Sequence, residues 1–192
     1  MDKNIVWHEV NTEKREELMG HKAALLWFTG LSGCGKSTIA AALQERLSAE
    51  GKKCYVLDGD NIRHGLNSDL GFSASDRVEN IRRIGEVGKL FVDAGIIAIT
   101  SFISPYTKDR DTVRAKLDGK FVEIFVKCPV EECEARDPKG LYKKARNGEI
   151  SDFTGVSAPY EEPLNPEVIV DSSKMSVAEC VDKIYDSIKE KI

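Results

Sequence analysis

The sequence predicts an α/β fold in which a parallel five-stranded sheet carries helices on both faces. Five short apolar runs recur along the chain, each nearly continuous rather than alternating, as strands buried on both faces require. Helix-periodic segments separate these runs, and strands joined by helical crossovers pack as a parallel sheet. The composition permits it: 192 residues with 41% hydrophobic and 31% charged side chains are enough for a core of ordinary globular character. A single domain over residues 1–192 is expected, without repeats, low-complexity tracts or a Pro/Gly-rich linker.

Residues 23–29 form the first predicted strand and run into Gly30. A helix over 38–49 follows, with Ile39, Leu43 and Leu47 on one stripe. Residues 54–57 form the second strand, ending in Asp58-Gly59-Asp60, and Asp60 is placed to cap a short helix beginning Asn61-Ile62-Arg63. Residues 76–94 carry Val78, Ile81, Ile84, Val87, Leu90 and Phe91 at three-to-four spacing, with Arg82, Arg83, Glu86 and Lys89 mostly opposite. Residues 96–103 form the third strand, and Ser104-Pro105 reads as the start of the next helix, with Pro at its first position. Residues 121–126 and 168–170 complete the strands, and Ser176 with Glu179 forms a capping box before a final helix over 177–189. The stretch from about 136 to 166 has neither period and contains Gly140, Gly148, Gly155, Pro159, Pro163 and Pro166. Between Arg136 and Glu149 it sets five positive side chains against two negative ones, so it reads as a solvated loop or as a mobile lid over a polyanionic ligand.

Several function classes are disfavoured. A net charge of −4 argues against general nucleic-acid binding, which needs a basic face. No apolar run approaches the ~20 residues of a membrane span. The first residues, Met-Asp-Lys-Asn, do not resemble a secretory leader. Five irregularly spaced cysteines (Cys34, Cys54, Cys128, Cys133, Cys180) fit a reducing cytoplasm. No CxxC pair occurs, and His8, His21 and His64 lie far from Cys128 and Cys133, so a metal–thiolate site is disfavoured.

The strongest motif is Gly30-Leu31-Ser32-Gly33-Cys34-Gly35-Lys36-Ser37, followed by Thr38. It matches G-x-x-x-x-G-K-[ST] between a strand and an amphipathic helix, the context that gives the motif its meaning. The glycines let successive N–H groups face phosphate oxygens, and the helix start adds its positive dipole end. Lys36 is expected to reach the β- and γ-phosphates and Ser37 to place its hydroxyl on Mg²⁺. Cys34 reads as a space-filling loop residue. The fold expected is therefore of the three-layer P-loop NTPase type, binding ATP with Mg²⁺. A GTP switch is disfavoured because no N-K-x-D motif occurs, and no G-x-G-x-x-G dinucleotide fingerprint follows a strand.

The second strand ends in carboxylates, and the carboxyl ends of strands face the ligand crevice in open α/β sheets. Asp58 or Asp60 there can hold a metal's water or orient an attacking hydroxyl. Arg63 lies nearby in sequence, and Arg77 and Asn80, three apart, share a helix face outside the apolar stripe. Two arginines beside a carboxylate suit a second anion.

These residues carry a resemblance. The blocks 30–40, Leu57-Asp58-Gly59-Asp60-Asn61-Ile62-Arg63, Leu70-Gly71-Phe72, Asp76-Arg77, Glu79-Asn80-Ile81-Arg82-Arg83, Ser101-Phe102-Ile103-Ser104-Pro105, Asp137-Pro138-Lys139-Gly140-Leu141-Tyr142 and Phe153-Thr154-Gly155, with the early Trp7-His8, closely resemble the adenylylsulfate kinase family. The resemblance implies transfer of the ATP γ-phosphoryl group to the 3′-hydroxyl of adenosine 5′-phosphosulfate (APS), giving 3′-phosphoadenosine 5′-phosphosulfate (PAPS) and ADP in sulfate activation. It implies Mg²⁺, a homodimer, and functional coupling to an ATP sulfurylase. It places Asp60 on the 3′-hydroxyl and the metal's water shell, with Asp58 in support. Arg63, Arg77 and Asn80 grip the phosphosulfate and ribose side. Phe72 and Phe153 sandwich the APS adenine, Ile103 and Ser104 line its pocket, Lys139 and Leu141 reach in from the lid, and Arg136 lies near the ATP adenine. It also attaches a phosphoserine intermediate to Ser104, although direct in-line transfer needs only positioning and charge neutralisation. Two other readings remain open: a kinase for a different small hydroxyl acceptor, and a nucleotide-binding regulatory subunit without activity.

Overall fold

The computed structural model describes residues 11–192; Trp7 and His8 lie outside the described residues. Helix α1 (Thr12–Met19) precedes strand β1 (Leu25–Thr29) and helix α2 (Lys36–Ala49). Strand β2 (Cys54–Asp58) leads into the short α3 (Gly59–Arg63) and the long α4 (Ala74–Asp93). Then come β3 (Ile97–Ser101), α5 (Thr107–Arg114), β4 (Phe121–Lys127), α6 (Val130–Arg136), α7 (Leu141–Arg146), β5 (Val168–Asp171) and α8 (Val177–Ile188).

The five strands are all parallel, in the order β2-β3-β1-β4-β5. Strand β1 is central and fully buried, and its alternate side chains divide the core. Leu26 and Phe28 join Ile39, Leu43 and Leu47 of α2 and Val181, Ile184 and Ile188 of α8 on one face. Leu25 and Trp27 join Ile81, Ile84 and Val92 of α4 and Val113 of α5 on the other. The period-two pleat thus feeds two helical layers, which is why the strands read as unbroken apolar runs.

Most element ends shift by one or two residues, and four readings change in substance. The third strand stops at Ser101, so Ile103 lies in the loop beyond it. Ser104-Pro105 does not begin a helix: α5 starts at Thr107 with Tyr106 as its cap, because Ser104 takes a left-handed backbone (φ 41°) that no helix start adopts. Asp58, not Asp60, caps α3, its Oδ1 accepting from the Asp60 N–H at 3.0 Å. Within 136–166 the chain does form a helix, α7, with Tyr142 fully buried. At six residues, that helix was too short for periodicity to reveal.

The expected stripe of α4 is also corrected. Val78 and Leu90 are exposed, whereas Gly85 and Gly88 are buried. A Cβ on Gly85 would stand 2.6 Å from Cγ2 of Val113, and one on Gly88 2.9 Å from Leu25. The helix therefore packs on the sheet and α5 through its backbone.

Candidate active site

The phosphate loop joins β1 to α2. Gly30 sits at φ 150°, and a Cβ there would stand 2.5 Å from the Val126 carbonyl oxygen and 2.9 Å from the Cys34 sulfur. Glycine is therefore required for close passage past β4. Gly35, left-handed at φ 96°, turns the chain into α2. Cys34 is buried against the core, as a space-filling residue should be. Lys36 does not extend outward here. Its ammonium donates to the carbonyls of Gly30 (2.9 Å) and Leu31 (2.7 Å) and lies 3.6 Å from the Cys34 sulfur, so the lysine bridges its own loop.

The carboxyl ends of neighbouring strands surround the start of α2. The Ser37 hydroxyl donates to Asp58 Oδ2 at 2.7 Å and lies 3.1 Å from the Ser101 hydroxyl. Serine and carboxylate oxygens packed this closely are the hard donors that Mg²⁺ takes alongside water and phosphate, so these residues fit that ion. The carboxylate on Ser37 is that of Asp58; Asp60 instead pairs with Lys139 of the 137–166 segment. Ser172, at the end of β5, donates to the Cys34 carbonyl at 2.7 Å and accepts from Arg136 through its own carbonyl at 2.8 Å. Arg136 is thereby held beside the base of the phosphate loop. The rule that singles out Asp58, a polar residue at the carboxyl end of a parallel strand, would also have found Ser101 and Ser172.

On the acceptor side, Arg63 donates to the carbonyls of Leu70 (3.2 Å) and Gly71 (2.9 Å) and lies 4.3 Å over the Phe72 ring. Burial, then the like charge of Arg77, holds its guanidinium below the ordinary value, so the two arginines share one field. Arg77 donates to the Phe72 carbonyl at 3.0 Å, to the Thr154 hydroxyl at 2.8 Å and to the Asp152 carbonyl. It thus stitches α4 to the 137–166 segment, a role no sequence pattern announced. Phe72 is 67% exposed, an aromatic ring offered to solvent. Phe153 is buried, edge-on to Tyr142 at 5.0 Å between centroids. Asn80 is also buried, contrary to its expected place outside the packed face, and its Oδ1 accepts from Asn67 at 2.9 Å.

The loop after β3 is held from beneath. The Ile103 carbonyl accepts from Thr29 (2.7 Å), the Ser104 carbonyl from Arg110 (2.7 Å), and the Ser104 hydroxyl from the Trp27 indole (3.0 Å). Ser104 is 1% exposed. The 137–166 segment bears directly on the phosphate loop: the Tyr142 hydroxyl donates to the Ser32 carbonyl at 2.9 Å, and Gly155 passes over Leu31. Leu141 packs against the core below it. A cavity of about 590 Å³ opens between Leu31, Cys128, Val130, Val156 and Tyr160, but Asp60, Arg63 and Phe72 do not line it.

A parallel sheet with a phosphate loop after its central strand, adjoining carboxylates and two arginines that share one field defines a phosphate-loop kinase acting on an anionic acceptor. Residues 22–171 match the family Adenylylsulphate kinase, and the chain belongs to that family. It is 62% identical over 185 residues, 95% of this chain and 92% of the relative, to a probable adenylyl-sulfate kinase of Halalkalibacterium halodurans. Its fold is similar to that of the Mycobacterium tuberculosis APS kinase CysC in complex with AMPPNP and APS (TM-score 0.84, 44% identity, 88% of this chain and 98% of that one). It is also similar to a hexameric APS kinase from Thiobacillus denitrificans (TM-score 0.67, 34% identity, 88% of this chain and 29% of that one).

Proposed function

We propose that the protein transfers the γ-phosphoryl group of ATP to the 3′-hydroxyl of APS, giving PAPS and ADP. The observation that carries this is the meeting of Ser37 with Asp58 at 2.7 Å, which sets the phosphate loop against the junction of β2 with α3, the helix that bears Asp60. The 3′-oxygen forms the new P–O bond, the bond to the β,γ-bridging oxygen breaks, and the hydroxyl proton passes to the Asp60 carboxylate. Lys36 turns from the Gly30 and Leu31 carbonyls onto the phosphates and, with the loop amides, neutralises the donor. Ser37 and Asp60, with Asp58 in support, would hold Mg²⁺, which would supply neutralisation of the phosphate charge. Arg63, Arg77 and Asn80 hold the phosphosulfate and ribose, Phe72 and Phe153 flank the adenine, Ile103 and Ser104 line the pocket, and Arg136 faces the ATP adenine.

Residues 136–166 act as a lid of a single domain, with Lys139 and Leu141 entering from above. Its closure excludes water that would otherwise take the phosphoryl group. Ser104 serves as a positioning residue and not as a phosphate carrier, a reading supported by its burial and by the Trp27 indole on its hydroxyl. We place the enzyme in the cytoplasm, consistent with five unpaired cysteines, as a homodimer coupled in function to an ATP sulfurylase.

The test is ADP release from ATP and Mg²⁺ with APS, AMP, gluconate or no acceptor. APS-dependent ADP formation is the expected result. Equal or faster turnover with AMP or gluconate identifies another acceptor class, and ATP binding without acceptor-dependent ADP identifies a regulatory nucleotide-binding subunit. Light scattering checks the dimer.

A further inference from the structure

Asn80 is 5% exposed, and its carboxamide has two ends of nearly equal shape, one accepting and one donating. Hydrogen bonding alone decides which end faces a ligand. Here the decision falls to Asn67. That residue is fully buried in the turn between α3 and α4, its N–H on the Ile62 carbonyl at 3.0 Å and its carbonyl accepting from Leu70 at 3.1 Å. Its Nδ2 donates to Asn80 Oδ1 at 2.9 Å. The Asn80 Nδ2 has no partner among the described residues and is not one of the sealed, unsatisfied atoms, so it keeps contact with solvent. Asn67 Oδ1, by contrast, is sealed and has no partner among the described residues. A lone buried acceptor is destabilising, so the geometry that produces it needs a reason.

We propose that Asn67 is a positioning residue that locks the Asn80 amide with its N–H₂ toward the acceptor pocket, so that the pocket offers a donor and not a lone pair to the anionic end of APS. This deepens the assignment of Asn80 to APS and rests on it. Phosphate and sulfate oxygens only accept, so a reversed Asn80 would set oxygen against oxygen where Arg63 and Arg77 gather negative charge. Asn67 touches no ligand in this scheme; its effect passes wholly through Asn80. The turn that carries it is braced from both sides: Arg63 holds the Leu70 and Gly71 carbonyls, and Arg83 holds the Asp69 carboxylate at 2.7 Å.

Steady-state kinetics on Asn67→Asp, Asn67→Ala, Asn80→Ala and the Asn67→Ala/Asn80→Ala pair test this, with thermal unfolding run on each. Asn67→Asp keeps the shape of the side chain but can only accept, so it draws in the Asn80 N–H₂ and reverses the amide. We expect it to raise the APS KM about 10- to 100-fold, one charge-assisted hydrogen bond's worth, with the ATP KM within about twofold. Asn67→Ala leaves the amide free to turn and raises the APS KM less, by about 2- to 5-fold. A purely structural role loosens the turn in both variants, by a buried carboxylate in one and a cavity in the other, so it lowers the melting temperature and raises the ATP and APS KM together, and that pattern overturns the proposal. Should Asn67→Asp not fold, the alanine cycle decides. Once Asn80 is gone its orientation no longer matters, so the double variant should show the APS KM of Asn80→Ala alone; multiplied effects overturn the proposal. If wild type forms no ADP in response to APS, or Asn80→Ala leaves the APS KM unchanged, it is the assignment of the acceptor site that fails.

Discussion

Asp60 and Lys139 are both more than half exposed at their side chains, yet they are paired across the crevice. An exposed ion pair is worth little in stability, so this one opens at small cost. If Asp60 receives the 3′-hydroxyl proton, Asp60→Asn lowers kcat by about 10²- to 10⁴-fold, the span of a positioned acid–base group. Near-wild-type turnover in single-turnover assays would remove it from the chemistry. Phe72 is a ring on the surface, mostly exposed, with Arg63 over one face, so its truncation removes little packing. Phe72→Ala is expected to raise the APS KM by about 10- to 100-fold, the worth of one stacked base, with the ATP KM unchanged. An effect confined to ATP would place the ring in the other pocket. The chemical residues of the site are legible in sequence because their types and spacing are demanded by phosphate and hydroxyl groups. Asn67 is not, because an asparagine in a turn carries no pattern; only its burial against Asn80 reveals it.

Two elements depend on features that periodicity conceals. Helix α4 lies close to the sheet and α5 because Gly85 and Gly88 face inward, with Val113 packed where a Cβ of residue 85 would go. Gly85→Ala gains about 1 kcal/mol of helix propensity and meets an overpacking cost of about 1–3 kcal/mol. Because Val113 is β-branched and 1% exposed, the clash prevails, and denaturant melts should show a net loss of about 1 kcal/mol. Gly65→Ala, with nothing within 4 Å, serves as the control. Helix α7 is capped from outside by Asp137, whose Oδ1 accepts from the Tyr142 N–H and Oδ2 from the Lys143 N–H, both at 3.1 Å. Desolvation raises this carboxyl, but the N–H groups of Lys143, Tyr142 and Leu141 outweigh it and hold it below its ordinary 3.8. A depressed carboxyl stabilises the folded helix in full above that ordinary value and loses the contribution as pH falls through the lower, folded one. Amide exchange at Tyr142 and Lys143 should therefore accelerate below about pH 4 ahead of exchange in β1, and equal acceleration of both would rule out a local cap.

Across the whole molecule, one buried charge links the loop after β3 to the 137–166 segment. Arg110 is 1% exposed and donates to Glu123 of β4 (2.7 Å), to the Ser104 carbonyl (2.7 Å), to the Thr107 hydroxyl (3.1 Å) and to the Glu161 carbonyl (2.8 Å). Glu161 in turn caps α5 through the Thr107 N–H, and Tyr160 meets Thr29 at 2.9 Å. The left-handed Ser104 and the far end of the 137–166 segment thus rest on the same guanidinium. Arg110→Ala leaves Glu123 with Arg114 alone (3.1 Å) and takes the donor from the Ser104 and Glu161 carbonyls, so it should cost about 3–5 kcal/mol in denaturant unfolding. A loss below about 1 kcal/mol would show that Arg114 suffices for Glu123 and that the two carbonyls find other donors. What this sequence determined alone was the sheet, its two helical layers and the phosphate loop, because strand burial, helix periodicity and phosphate binding each impose a local pattern. What the tertiary structure decided was which polar groups meet: Ser37 with Asp58, Asn67 with Asn80, Arg77 with Thr154, and Arg110 with Ser104 and Glu161. Those partners lie six to 77 residues apart in the chain and meet only when the fold brings their elements together, a condition no stretch of sequence can state by itself.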